Sequence, residues 1–381
     1  MKRSISRWLS NPKPRDLINT QNSGCDRKIL QFPSQRQIRF AFQSIGMVSS
    51  KIRRHRTHKL QKWRSAITWA ILLFICCSTT GFASLGDLDY DFVECYSECL
   101  SFTCSYRWTS KFGSGFPYWN CSDDCSYDCM HRITDDRFKF GYGPLKYYGH
   151  WPFRRIMGLE EPASALFSIL NGVPYFIDLV RSFFSSSGER STYFMSSWLL
   201  CYYPIAIFTW LASARFHCRK TELTSLVDYA FALLFLGYSL WLAVRRIWGD
   251  KADRRKVSAV FITVLSMYIH RVVRMYNGQV SFDDHMRVSI TVALLNVLTW
   301  LSWLIFSKEE IKGDGKYRYL CLICQLWFAS AALLELFDFP ALWGLFDAHS
   351  LWHAATIPLG FIWSRFWYVD KEAHRIRTKQ D

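Results

Sequence analysis

Acidic residues are almost missing from the first 64 positions of this 381-residue chain: two Asp and no Glu stand against 16 Lys and Arg. Of the formal net charge of +16, +14 therefore lies in this segment and only +2 in all the rest. A basic extension, not a basic fold, raises the isoelectric point, and no nucleic-acid partner is expected. The extension is also poor in aliphatic residues and rich in Ser, Gln, Asn and Arg. Such a composition cannot close a core, so residues 1–65 are read as disordered. A third absence is metal-ribbon spacing among the cysteines. Cys95, Cys99 and Cys104 follow C-x3-C-x4-C, and Cys121, Cys125 and Cys129 follow C-x3-C-x3-C. Neither matches a common zinc ribbon.

What is present is apolar and aromatic. Half the residues are hydrophobic, with 30 Phe, 19 Tyr and 17 Trp, a load that suits broad lipid-facing and interfacial surface. The first apolar run, residues 66–83, follows Lys59, Lys62 and Arg64 and ends in the small residues Gly81 and Ala83. It reads as a signal peptide cleaved after Ala83, with an uncleaved anchor as the competing reading. Met47 opens "MVSSKIRRHRTHKLQKW", a more ordinary signal n-region, so the native start is expected there and residues 1–46 as an extension ahead of it. The six cysteines that follow, within 35 residues, then read as up to three disulfides in an oxidising lumen. Their pairing is one of about 15 arrangements that sequence cannot separate. Asn120 begins Asn-Cys-Ser, a formal but poor glycosylation acceptor. The lumenal cysteine-rich domain is placed at 84–150, a membrane domain at 151–370, and a cytosolic tail at 371–381.

From residue 163 onward seven stretches of spanning length recur, near 163–182, 193–215, 227–244, 257–274, 288–307, 319–338 and 349–368. The predicted fold class is an all-α polytopic membrane protein, seven transmembrane helices preceded by a small disulfide-rich lumenal domain. Charge sets the sidedness. "RRIWGDKADRRK" carries six basic residues and "KEEIKGDGKYR" four, whereas "CRKTELTS" has two and "FDFPALWGLFDA" none. The first pair is assigned to the cytosol, in agreement with the signal peptide. Arg271 and Arg274, at the lumenal end of the fourth span, are exceptions. They read as snorkelling residues or as contacts for a lipid phosphate.

Five polar residues in these spans fall at one depth beneath the lumenal leaflet. Ser213 and His217 are one helical turn apart, Asp228 opens the next helix, and His349 and His353 share a face of the last. Three imidazoles with one open position form the ligand set of a catalytic zinc site, where bound water ionises near pH 7. Asp228 would take up a proton or orient a histidine, and Ser213 would donate to a developing oxyanion or act as a nucleophile. A metal at that depth suits hydrolysis of a lipid whose scissile bond lies at the headgroup boundary. Glu161, near a helix start, reads as a dipole partner. His150 reads as part of an interfacial anchor, and His270 and His285 as lumenal imidazoles without a helical partner.

Three segments carry a resemblance: "KYYGHWPFRRIMGLEEPASALFSILNG", "FHCRKTELTSLVDYA" and "LLELFDFPALWGLFDAHSLWHAATIP". With the cysteine module ahead of them, they resemble the post-GPI attachment to proteins factor 3 family, within the CREST superfamily of membrane hydrolases. The pattern Ser-x3-His, Asp and His-x3-His of that superfamily is met by Ser213, His217, Asp228, His349 and His353. The resemblance implies a GPI-specific phospholipase A2 that removes the sn-2 acyl chain of GPI anchors in the endoplasmic reticulum or Golgi membrane, with GPI-anchored proteins as substrates and membrane lipids as partners. A non-catalytic seven-helix receptor or scaffold, and a ceramidase-like lipid amidase, are the alternatives. Lys220 and Ser225 stand where the family usually carries Asp and Glu, so two carboxylates are missing beside the site.

Overall fold

The computed structural model describes residues 84–106, 118–184, 195–248, 253–306 and 316–378. The basic extension and the signal segment at 66–83 lie outside the described residues. Nine α-helices occupy the described part: α1 Tyr90–Tyr106, α2 Cys121–Lys139, α3 Pro162–Phe184, α4 Ser196–Cys218, α5 Glu222–Trp248, α6 Arg254–Tyr276, α7 Phe282–Phe306, α8 Lys316–Phe337 and α9 Ala348–Thr378.

The cysteine module is a helical hairpin. On α2 the cysteines recur every fourth residue and so share one face, which meets the matching face of α1. Three disulfides join them in nested order: Cys95–Cys129, Cys99–Cys125 and Cys104–Cys121, with Cα–Cα separations of 5.8, 5.7 and 5.7 Å. Nested pairing is what two antiparallel helices require, because residues early in one face residues late in the other. Asn120 caps α2: its side chain accepts from the Asp123 N–H at 2.8 Å while Asp123 accepts from the Asn120 N–H. The side-chain oxygen of the formal glycosylation acceptor thereby helps to hold the helix start.

Among the described residues, six helices are long and apolar enough to cross a membrane: α3, α4, α5, α6, and most of α7 and α8. The chain is thus a multi-pass membrane protein. The seventh expected stretch forms within α9, a 31-residue helix, but does not reach the same apolarity. His349, Ser350, His353, Ser364 and Arg365 within that stretch are the reason. Just beyond it, a buried charge is matched internally. Asp370 receives Nε and Nη2 of Arg246 from α5 at 2.9 and 2.7 Å, with both side chains almost fully buried. The helix continues through Thr378, so the described part of the segment read as the tail, residues 371–378, is helical.

Helices α3, α4, α5, α7, α8 and α9 each pack on the next and α9 returns to α3, closing a ring, while α6 packs outside on α5. Aromatic residues fill the ring near the Arg246–Asp370 pair. Trp300 meets Trp363 at 5.0 Å and Phe366 at 5.4 Å between centroids, both nearly edge-on, a favoured arrangement for aromatic quadrupoles. At mid-ring α3 and α9 approach closely because Gly360 has no side chain: a Cβ there would stand 2.5 Å from Cγ of Pro174. This contact brings the serine face of α3 and the histidine face of α9 into one interior.

The hairpin is tied to the ring by charged groups near its α2 start. Arg155 binds Asp124 at 2.8 Å and lies 3.5 Å above the Trp119 ring, and Arg219 binds Asp123 at 2.8 Å. The indole N–H of Trp119 donates to the Gly158 carbonyl at 2.8 Å.

Candidate metal centre

The site forms where α4 ends and α9 begins. The last carbonyls of a helix lack intrahelical partners. At the end of α4, those of His217 and Cys218 accept the backbone N–H groups of Glu161 and Glu160, each at 3.0 Å. That pairing lays the segment before α3 along the end of α4. It also sets the Glu161 side chain beside the imidazole of His217. At the other wall, Asp347 accepts the Ser350 N–H at 2.7 Å and so caps α9. His349 and His353 follow on one face.

The three imidazoles converge. Nε2 of His353 lies 3.1 Å from Nε2 of His217 and 3.1 Å from Nε2 of His349. One nitrogen from each residue falls within 4.8 Å of the others. The opposite nitrogens of two rings are held by carboxylates: Nδ1 of His217 is 2.5 Å from Oε2 of Glu161, and Nδ1 of His349 is 2.7 Å from Oε2 of Glu335. A carboxylate at Nδ1 fixes the proton there and leaves the Nε2 lone pair pointing inward. Two inward lone pairs facing a third nitrogen at this spacing lack the protons to satisfy one another. A shared cation resolves that deficit, so the donor set fits a metal.

The carboxylate roles differ from the sequence expectation. Asp228 is half-buried on α5, within electrostatic reach of His349, but it is not the partner of any of the three rings. The orienting groups are Glu161 and Glu335, since the segment before α3 and the end of α8 reach those rings first. Glu161 is 4 % exposed and is not simply a helix-dipole partner. The usable signals were an acidic pair beside a serine-bearing apolar helix and a Glu at the end of the apolar α8. An ionisable residue at such a border invites a search for its partner.

Lys220, one of the two departures from the family pattern, turns toward this shell. Its ammonium contacts Oε1 of Glu161, and its backbone N–H donates to Oε2 of Glu160 at 2.9 Å. Burial alone would raise the Glu161 carboxyl, but the Lys220 charge and the bond to His217 outweigh it and hold the group well below the usual range. Burial dominates for Glu160 and raises it. His150 lies within electrostatic reach of Glu161 and His217 but outside the three-histidine group, and burial lowers it to about 3.

Ser213, one turn before His217, places its hydroxyl 3.1 Å from that of Ser168 on α3. Ser164, one turn earlier on α3, has a buried hydroxyl without a partner among the described residues. Asn171 donates to the His353 carbonyl at 2.7 Å, fixing α3 against α9 directly at the site. His285 does not join the centre. It stacks on Tyr229, with centroids 4.5 Å apart.

Comparison with known proteins agrees with the resemblance read in the sequence. A relative from Danio rerio named GPI-specific phospholipase A2-like PGAP3 is 31 % identical over 306 residues, 78 % of this chain and 93 % of its own. Post-GPI attachment to proteins factor 3 of Drosophila melanogaster is 31 % identical over 77 % of this chain and 91 % of its own. The Homo sapiens GPI-specific phospholipase A2-like PGAP3 is 29 % identical over 78 % and 92 %. No solved structure matches. The model of the Per1-like family matches residues 113–371, including the second half of the hairpin and every residue of the histidine centre, and the chain belongs to that family.

Proposed function

We propose that the chain remodels GPI anchors as a metal-dependent hydrolase of phospholipase A2 type, cleaving the sn-2 acyl ester, with His217, His349 and His353 holding zinc. The observation that carries the chemistry is the convergence of three Nε2 atoms, two of them backed by carboxylates. The substrate is suggested by the relatives, whose names specify GPI. In this reading α9 spans the membrane as a seventh helix. The disulfide hairpin lies in the lumen of the endoplasmic reticulum or Golgi, because such bonds persist in oxidising compartments, and the end of α9 is cytosolic.

Bound zinc would polarise the ester carbonyl and make water nucleophilic near neutral pH. The chain supplies the remaining functions. Glu161 and Glu335 hold two imidazoles in the tautomer that presents Nε2 inward. Asp228 takes the proton released as water attacks and returns it to the leaving alkoxide. Ser213 donates a hydrogen bond to the carbonyl oxygen as negative charge develops, its hydroxyl oriented by Ser168. Burial of His217 and His353 keeps bulk water away and strengthens these charge interactions.

The test is His353→Ala in cells lacking their own remodelling enzyme, together with zinc analysis of the purified variant. Loss of both zinc and sn-2 chain removal, with the protein still inserted, is expected. Zinc retained without any turnover by the wild type would support a scaffold instead.

A further inference from the structure

Helices α6 and α7 follow one another in sequence, and each packs on α5, yet they are not packed along each other. Toward the end nearest the histidine centre, Arg271 of α6 lies within electrostatic reach of His285 of α7, whose ring stacks on Tyr229 of α5. Two observations there have no explanation within the protein. Nε and Nη2 of Arg271, which form one edge of the guanidinium, are excluded from solvent and have no acceptor among the described residues. His285 is 5 % exposed, and its Nδ1 also lacks a partner. Its other nitrogen is 3.4 Å from the Ser289 hydroxyl.

These groups belong to one neighbourhood. Arg271 and His285 lie within electrostatic reach of each other, and Asp284 and Arg274 are the further charges that face Arg271. The His285 ring stacks on Tyr229 at 4.5 Å. Tyr229 meets Phe216 at 5.9 Å, and Phe216 adjoins His217 at 5.1 Å. Three ring contacts thus connect the unsatisfied donors to the metal centre along the same end of the bundle.

We infer that the Arg271 edge and Nδ1 of His285 form a binding site for the phosphodiester of a lipid headgroup, entered between α6 and α7. The Nε–Nη2 edge presents two parallel N–H donors, a geometry that matches two oxygens of one phosphate. Protonated Nδ1 of His285 adds a donor from the neighbouring helix. A lipid seated there has its acyl chains beside α5 and its glycerol region directed along Tyr229 toward His217. The proposal rests on the hydrolase reading for the identity of the substrate, but not for the existence of the site. Asp284 faces Arg271 but accepts no hydrogen bond from Nε or Nη2, so that edge is left for a ligand.

The experiment uses the full chain purified in nanodiscs of phosphatidylcholine with phosphatidylinositol, followed by native mass spectrometry of retained lipid, zinc analysis and hydrolysis kinetics. Arg271→Gln should lower phosphatidylinositol retention and raise KM about tenfold, the scale of one charge-assisted contact pair, with kcat and zinc content unchanged. Arg271→Lys keeps charge but not the paired edge and should fall between. His285→Phe preserves the ring stack on Tyr229, removes both nitrogens and guards against a folding artefact; it should weaken retention as well. Equal retention by wild type, Arg271→Gln and His285→Phe overturns the proposal. Binding of inorganic phosphate with no dependence on lipid overturns the lipid assignment. If the wild type proves inactive but retention still falls in Arg271→Gln, the site stands while the hydrolase reading fails.

Discussion

Replacing Glu161 by Gln tests the centre most directly, because it removes one charge and almost no volume. The carboxylate touches two partners, Nδ1 of His217 at 2.5 Å and the ammonium of Lys220. Gln can still accept a hydrogen bond from Nδ1–H, so the ring need not turn. What is lost is the negative charge that makes His217 a stronger donor to a cation. Loss of such an outer partner typically weakens metal binding about 10–100-fold, or about 1.4–2.8 kcal/mol. The figure should lie toward the upper end, because the His217 and Glu161 side chains are only 2 % and 5 % exposed and little solvent screens them. The equivalent change at Glu335 is a built-in comparison. That pair is 36 % and 25 % exposed, so Glu335→Gln should cost less. The assay is zinc competition against a chelator on purified protein, with helix content followed in parallel. Lys220 is stranded in Glu161→Gln, so the double variant with Lys220→Met separates that cost: it should recover stability but not zinc affinity. Wild-type affinity in Glu161→Gln, or a larger loss in Glu335→Gln, refutes the argument.

Three further outcomes are expected. Ser213→Ala should leave zinc bound and lower kcat about 100-fold if the hydroxyl stabilises the oxyanion; an unchanged kcat would make the Ser168–Ser213 contact a matter of packing. Gly360→Val forces side-chain atoms into the Pro174 ring, where a Cβ alone would already stand at 2.5 Å. Overpacking of this kind costs about 1–3 kcal/mol, read as a lower thermal midpoint in detergent, and an unchanged midpoint would mean that α3 and α9 do not meet there. Peptide mapping without reduction should recover Cys95–Cys129, Cys99–Cys125 and Cys104–Cys121, and any crossed pair would exclude the antiparallel hairpin.

Local pattern and long-range contact were legible to different degrees. Hydropathy is a property of contiguous residues, so the spans could be located before any fold was known. The same is true of His349 and His353, whose four-residue spacing becomes a shared face in any helix. The matching depth of Ser213, His217 and Asp228 followed from counting turns out to the loops. Charge in the loops supplied the expected sidedness, and the crowding of six cysteines supplied a disulfide module without its pairing.

The partners of the imidazoles were decided by tertiary structure. Glu161 is 56 residues from His217, and Glu335 is 14 residues from His349. No periodicity spans such intervals. Asp228 was the natural candidate from sequence because it opens the helix after His217 from the same side, yet backbone pairing at the end of α4 delivered Glu161 first. Context likewise decided the partner of Asp370, just past the seventh stretch: Arg246 from α5 meets that charge inside the ring. Sequence thus determined where the long apolar stretches lie and which residue types stand near their ends. Packing of α3, α4, α8 and α9 determined which charge faces which ring, because electrostatic partnership depends on distance in space and not on separation along the chain.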